Sequence, residues 1–246
     1  MILEARGLHK RFGQQVVLED ASLAIAPDRL SGIMGPNGAG KTTFFHVLTG
    51  YHRPDRGQVL FDGTDITGWS PRRIAARGIA RSFQAMTLFN EFTALRNVLT
   101  AMPDVRQRGF DMLGDLEASH ETVDAALEVL GRVGLRERAS AVARSLPYGD
   151  RRRLDIAIAI AARPKVLFLD EPTAGLSGDA VARLADLIRE LKRSLTIVLI
   201  EHNMPFLFGL ADSVAVMHWG QVIARGTPAE LREDPWVKAS NLGKLA

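Results

Sequence analysis

Apolar and polar residues alternate over residues 1–25, interrupted at Gly13-Gln14. A period of two broken by a turn pair predicts two antiparallel strands. A short apolar run at 30–34 leads straight into a glycine-rich stretch, and residues 42–49 then read as a helix stopped by Gly50. Residues 58–61 and 64–66 flank Asp62-Gly63 and predict a hairpin. From 71 to 146 the chain becomes arginine-rich and helix-favouring, with Val123, Leu127 and Leu130 at helical spacing within 121–133. The strand pattern resumes in an unbroken apolar run at 166–169, of the kind that a strand buried on both faces displays. A helix at 179–192, a strand at 195–200 and a hairpin at 214–217 and 221–224 around Trp219-Gly220 complete the pattern. Strands alternating with helices imply an α/β fold with a mostly parallel core sheet, preceded by an antiparallel β region and interrupted by a helical subdomain. In such a fold the ligand lies at the carboxyl ends of the strands.

Composition narrows the picture only a little. The 246 residues suit one large domain with an inserted subdomain. Hydrophobic residues at 46% and charged residues at 24% supply an ordinary core and argue against wholesale disorder. Cysteine is absent, which excludes disulfides and thiolate metal sites and suits a reducing compartment. The net charge of +3 is small and dispersed, although arginine far outnumbers lysine, and no nucleic-acid partner is expected from it. No apolar run approaches the ~20 residues of a membrane span, and residues 1–11 lack the apolar core of a signal peptide. Any membrane link is therefore expected to come through a partner.

Gly35-Pro36-Asn37-Gly38-Ala39-Gly40-Lys41-Thr42 matches G-x-x-x-x-G-K-(S/T) in full, between the expected strand and helix. Glycines let backbone N–H groups curl around phosphate oxygens, and the following helix start adds partial positive charge. Lys41 is expected on the β- and γ-phosphates of a nucleotide, Thr42 on Mg²⁺ and Thr43 on the α-phosphate. The strand Val166-Leu167-Phe168-Leu169 ends in Asp170-Glu171. Asp170 stands where a nucleotide-binding fold needs an acid to hold Mg²⁺. Glu171, pointing differently, is placed to polarise the water that attacks the γ-phosphate.

With these motifs in order, the chain resembles the ABC ATPase family from about residue 3 to residue 231. Ser82-Phe83-Gln84 looks like its glutamine loop, and Leu146-Pro147-Tyr148-Gly149 occupies the position of its signature motif. Ala174-Gly175-Leu176-Ser177 stands at the D-loop position, and Ile200-Glu201-His202-Asn203 looks like the switch-histidine segment. Phe12 is placed like the aromatic residue that stacks on adenine, and Gly226-Thr227-Pro228 with Glu230 resembles the family's tail. The resemblance implies a P-loop NTPase fold with a RecA-like core over about 1–84 and 163–246 and a helical subdomain over about 85–162. It gives Gln84 a contact with Mg²⁺ and the attacking water, and His202 a contact with the γ-phosphate that also orients Glu171. Two such domains would sandwich two ATP molecules head to tail. Tyr148 and Gly149 of one copy would then meet the nucleotide held by the other, with the amide of Gly149 on the γ-phosphate.

Some positions depart from the family pattern. Pro147 stands where serine is usual, Asp150 where glutamine is usual, Ile158 where arginine is common and Ser177 where aspartate is usual. Asp150 is favourable as a helix N-cap but repulsive toward phosphate unless it turns away. Arg151, Arg152 and Arg153 either offset it or form a solvated helix face. Glu171 and His202 are intact, so hydrolysis is expected, slower in isolation or best beside a non-identical cassette.

Within the family, the details resemble the ATP-binding subunits of branched-chain amino-acid importers: Arg81-Ser82-Phe83-Gln84, the Leu-Pro-Tyr-Gly signature, Glu201-His202-Asn203-Met204 and a longer insertion at 101–119. Urea or amide importers and the lipopolysaccharide-export ATPase are alternatives. The resemblance implies transmembrane permease subunits, a homodimer or a heterodimer with a second ATPase, a solute-binding protein, and a peripheral position on the cytoplasmic face of the inner membrane. Residues 85–99 would form the helical groove for a permease, or else contribute Met86, Leu88, Phe89, Phe92 and Leu95 to the core. A soluble ABC ATPase for DNA or ribosome work is a rival from another class, but this chain lacks long coiled coils and a second cassette. A weakly catalytic regulatory module is another. Arg72, Arg73, Arg77 and Arg81 read as a solvated or nucleotide-facing surface.

Overall fold

A computed structural model of the chain describes residues 1–82, 86–107 and 119–239. The alternating N-terminal residues form β1 (Leu3–Phe12) and β2 (Gln15–Ile25), paired antiparallel with Phe12 opposite Gln15. On the other edge of β1 lie β4 (Arg56–Phe61) and β5 (Thr64–Asp65), giving an antiparallel sheet in the order β2-β1-β4-β5.

The second sheet holds β3 (Leu30–Met34), β6 (Ile79–Ser82), β7 (Val166–Asp170), β8 (Thr196–Ile200), β9 (Ser213–His218) and β10 (Gln221–Gly226) in the order β10-β9-β3-β8-β7-β6. Its neighbours are parallel except β9 and β10. Every residue of β3, β7 and β8 is buried. That explains their uninterrupted apolar sequences, since strands alternate their side chains between two covered faces. On one face Leu167, Leu169, Ile197, Leu199, Val214 and Val216 join a core with α3 (Ala94–Leu99), α5 (His120–Arg132), α6 (Tyr148–Ala161), α7 (Gly178–Leu191) and α8 (Met204–Phe208). On the other, Ile33, Val166, Phe168, Val198, Ile200 and Met217 pack with α1 (Lys41–Leu48) and the antiparallel sheet. Phe45 meets Phe168 edge to face, with centroids 4.7 Å apart. Each such fully buried side chain contributes about 1.5–3 kcal/mol.

The fold is thus the α/β arrangement expected, with local corrections. The arginine-rich stretch opens with α2 (Pro71–Arg77) but then supplies a strand, because β6 pairs in parallel with β7 and closes the core sheet. In α5 the inward residues are Thr122, Ala126 and Leu130, so Val123 and Leu127 flank the buried stripe instead of forming it. Residues 86–93 are not helical. The buried amide of Asn97 pins them, accepting the N–H of Phe89 and donating to the carbonyls of Phe89 and Thr93. Leu88 and Leu95 are half-buried against the core, while Phe89 is exposed and stacks on Phe92. The insertion at 101–119 contains α4 (Pro103–Gln107), and its part from 108 to 118 lies outside the described residues.

After β10 a capping box starts α9 (Pro228–Glu233): Thr227 accepts the Glu230 N–H, and Glu230 accepts the Thr227 N–H. This explains the residues of the tail pattern, and α10 (Pro235–Ala239) follows. Among the described residues no helix is long and apolar enough to cross a membrane.

Candidate functional site

Three loops leave the carboxyl ends of adjacent strands. β8 lies between β3 and β7, with Ile200 level with both Ile33 and Asp170. The segment after β8 therefore emerges between the glycine-rich loop and the acidic pair. The loop itself passes from β3 into α1 through Gly40, whose φ of 93° is left-handed. A Cβ there would stand 2.7 Å from the Val17 carbonyl oxygen, so the loop rests directly on β2. Gly220, in the turn between β9 and β10, donates to the carbonyl of Ala39 at 3.1 Å and accepts from the N–H of Glu19 at 3.0 Å. Both sheets thus support the loop from behind.

Lys41 is buried and donates to the carbonyls of Gly35 (2.8 Å) and Pro36 (2.9 Å). Burial lowers its pKa, and the charges of Glu171 and Asp170 oppose that shift, which places both acids within electrostatic reach of the ammonium. Thr42, Asn37 and Gly38 are exposed, Pro36 and Thr43 half-buried, and Gly35 and Ala39 buried.

Asp170 is almost wholly buried, and Arg81 from β6 forms an ion pair with it at 3.0 Å. Burial raises the Asp170 pKa; Arg81 opposes this, the nearby Glu171 charge adds to it, and Arg152 also lowers it. Arg81 further contacts His46 Nε2 at 3.1 Å and lies over the rings of Phe45 and Tyr51. His46 stands edge-on to His52, and His52 edge-on to Phe12 at 5.1 Å. Phe12 is 44% exposed, so its ring is open to a stacking partner from solvent.

Glu171 adopts a left-handed φ of 45°, uncommon for a residue with a side chain. Its N–H donates to the carbonyl of Ile200 at 2.9 Å, and its Oε1 is 2.9 Å from His202 Nε2. The carboxylate that follows the apolar run and the histidine in the loop after β8 are thereby joined. Glu201 is buried beneath them and accepts the N–H groups of Thr173, His202 and Asn203.

Pro147 caps α6, so Tyr148 and Gly149 open the helix and Asp150 sits in its first turn. Asp150 is therefore not the N-cap. Its carboxylate lies between Arg153 and Arg138, 3.0 Å from the latter. Arg153 offsets its charge as expected, but Arg152 is no solvated residue: it is 1% exposed. The Tyr148 hydroxyl donates to the carbonyl of Ala174 at 3.2 Å. Gly149 lies against Leu176 and Ala180 of the same chain. Ser82 donates to the buried carboxylate of Asp155, linking β6 to α6.

The glycine-rich loop, Asp170, Glu171 and His202 are thus gathered at one end of the core sheet, and Phe12 lies on the adjoining sheet. Tyr148 and Gly149 face residues 174–180, and Gln84 lies outside the described residues. Sequence reasoning did not foresee Arg81 as a buried counter-ion, the burial of Arg152, or a role for Glu201. The available signal was that Arg81 and Glu201 stand inside the segments Arg81-Ser82-Phe83-Gln84 and Ile200-Glu201-His202-Asn203.

The chain matches the ABC transporter family over residues 18–174. It is 38% identical to the high-affinity branched-chain amino acid transport ATP-binding protein LivG of Escherichia coli (strain K12), over 99% of this chain and 98% of that protein. It is 37% identical to BraF of Pseudomonas aeruginosa, described in the same words, with the same shares covered. Among solved structures, the ADP conformation of MJ1267, an ATP-binding cassette of an ABC transporter, superposes with a TM-score of 0.85 at 30% identity, covering 98% of each chain. Fold, phosphate loop and likeness over the full length agree: the chain belongs to the ABC transporter family as an ATP-binding cassette, whose activity is the hydrolysis of ATP.

Proposed function

We propose that this cassette powers the import of branched-chain or other hydrophobic amino acids. It would work in a pair, as a homodimer or with a second cassette, docked on transmembrane permease subunits at the cytoplasmic face of the inner membrane and supplied by a solute-binding protein. The observation that carries this reading is the likeness, end to end, to two transport proteins named for that substrate class.

In the proposed chemistry, Lys41 exchanges the carbonyls of Gly35 and Pro36 for the β- and γ-phosphate oxygens, Thr43 meets the α-phosphate, and Phe12 stacks on adenine. Backbone N–H groups from Asn37 to Thr42, Gly38, Ala39 and Gly40 included, line the phosphates, with Gly35 and Pro36 shaping the turn that opens the loop. Thr42 and Asp170 offer hard oxygen donors, and no cluster of three or more ligating side chains exists among the described residues. That donor set fits Mg²⁺, which takes one or two protein oxygens and completes its shell with phosphate and water. When bound there, Mg²⁺ would neutralise phosphate charge, and Gln84 would join its shell. Glu171 takes a proton from water as the water oxygen attacks the γ-phosphorus; the bond to the bridging oxygen breaks, leaving ADP and phosphate. His202 holds Glu171 and the γ-phosphate together. Gly149 of the second copy donates its amide to that phosphate, while Pro147 brings no hydroxyl, which supports slower turnover in isolation. Motion of the helical part, about 85–162, against the core, about 1–84 and 163–246, transmits the change to the permease.

The test is to purify the tagged protein from gently solubilised membranes of its host and to measure leucine uptake in cells carrying Glu171→Gln. Recovery of two multi-span permeases, with uptake lost in the variant, is expected. Recovery of soluble partners alone, with uptake intact, would overturn the transporter reading.

A further inference from the structure

Glu201 leaves β8 and is 2% exposed, yet it lies beside the reacting groups and outside the roles assigned above. Its Oε1 accepts the N–H of Thr173 at 2.9 Å, and its Oε2 accepts those of His202 at 3.0 Å and Asn203 at 3.2 Å. Bonds from backbone N–H groups to a buried carboxylate are charge-assisted and stronger than neutral ones. The three donors come from two loops. Thr173 is two residues beyond Glu171, and His202 carries the imidazole that meets Glu171 at 2.9 Å.

These contacts close a ring: Glu171 to His202 through side chains, His202 to Glu201, Glu201 to Thr173, and Thr173 back along the chain to Glu171. The ring also holds the left-handed backbone of Glu171, which is costly unless its surroundings over-determine it. Ala174, next to Thr173, donates to the Glu171 carbonyl and accepts the Tyr148 hydroxyl. One buried carboxylate thereby joins the acidic turn, the histidine segment and the first turn of α6.

The geometry points to Glu201 as a positioning residue for hydrolysis, a clasp that holds Glu171 and His202 in register and carries the position of α6 to both. The inference rests on the proposed roles of Glu171 and His202. Glu201→Gln keeps the size but turns an amide donor toward backbone donors. We expect it to lower kcat by about tenfold to a hundredfold, with KM and fluorescent-ATP affinity within about twofold. In a His202→Ala background the same change should cost less than about twofold, because the clasp acts through the histidine. Amide hydrogen exchange should accelerate at Thr173, His202 and Asn203 and stay unchanged along β8.

An unaltered kcat in Glu201→Gln, a full multiplicative loss in the His202→Ala background, or exchange raised equally throughout β8 would each overturn the inference. Where Glu201→Gln does not fold, Glu201→Asp is read by the same exchange and kinetic measurements, with the same outcomes deciding. Unaltered turnover in Glu171→Gln and His202→Ala would instead sink the hydrolytic roles, while exchange would still report whether the clasp exists.

Discussion

The Arg81 guanidinium stands 3.0 Å from the Asp170 carboxylate, with 8% and 3% of the two side chains exposed. A cation from the edge strand, 89 residues earlier in the chain, faces this buried acid and opposes the rise that burial gives its pKa. Removing one partner of such a pair strands the other, at a cost of about 3–5 kcal/mol. Arg81→Met should lower the unfolding free energy by roughly that amount, and Arg81→Met with Asp170→Asn should regain most of it. Urea titration of these two variants and of Asp170→Asn alone decides: purely additive losses would mean that the pair is not the reason.

His46 makes stability sensitive to acid. Burial, then the charges of Arg81 and His52, pull its pKa to about 4. An unfolded histidine titrates near ~6.5. Between those two values the unfolded chain binds the extra proton, so stability falls as the pH drops through that window and the loss is complete below it. Unfolding free energies at several pH values across the window should fall less steeply in His46→Gln. Parallel slopes would rule the imidazole out as the source.

The phosphate loop sets apart two of its glycines, Gly40, which the motif fixes, and Gly38, which stands at one of its variable positions. A Cβ on Gly40 would meet the Val17 carbonyl at 2.7 Å, whereas one on Gly38, with φ of 80°, meets nothing within 4 Å. Gly38→Ala should bear only the left-handed cost of about 1–2 kcal/mol. Gly40→Ala adds a backbone clash and should unfold at clearly lower temperature. Equal melting temperatures would count against this packing of the loop on β2.

Asp150 does not present its charge to a phosphate from the first turn of α6, because Arg138 and Arg153 enclose it. Asp150→Gln should therefore leave kcat within about twofold and cost about 1 kcal/mol of stability. Turnover accelerated tenfold would reveal a repulsion that these contacts do not relieve.

What was legible in the sequence is what depends on near neighbours. Alternation gave β1 and β2, and the buried apolar run gave β7 together with the acids at its end. Charged residues read as surface in the absence of a visible partner, since they are rarely buried alone. Arg81 meets Asp170 across 89 positions, Ser82 meets Asp155 across 73, and Thr173 meets Glu201 across 28. No local pattern signals pairings at such separations. In α5, Val123 and Leu127 outweighed Thr122 and Ala126 by hydrophobicity alone, which shifted the expected face from the one that packing selects.

Gly220 bonds to Ala39 of the phosphate loop and to Glu19 of the sheet that carries Phe12. The two jaws of the proposed nucleotide site are therefore riveted at one glycine, and the span between aromatic ring and phosphate cradle is set by the fold before any molecule arrives. Such a site works as a caliper. It gauges the length from base to phosphates, so a molecule with either end missing grips only one jaw.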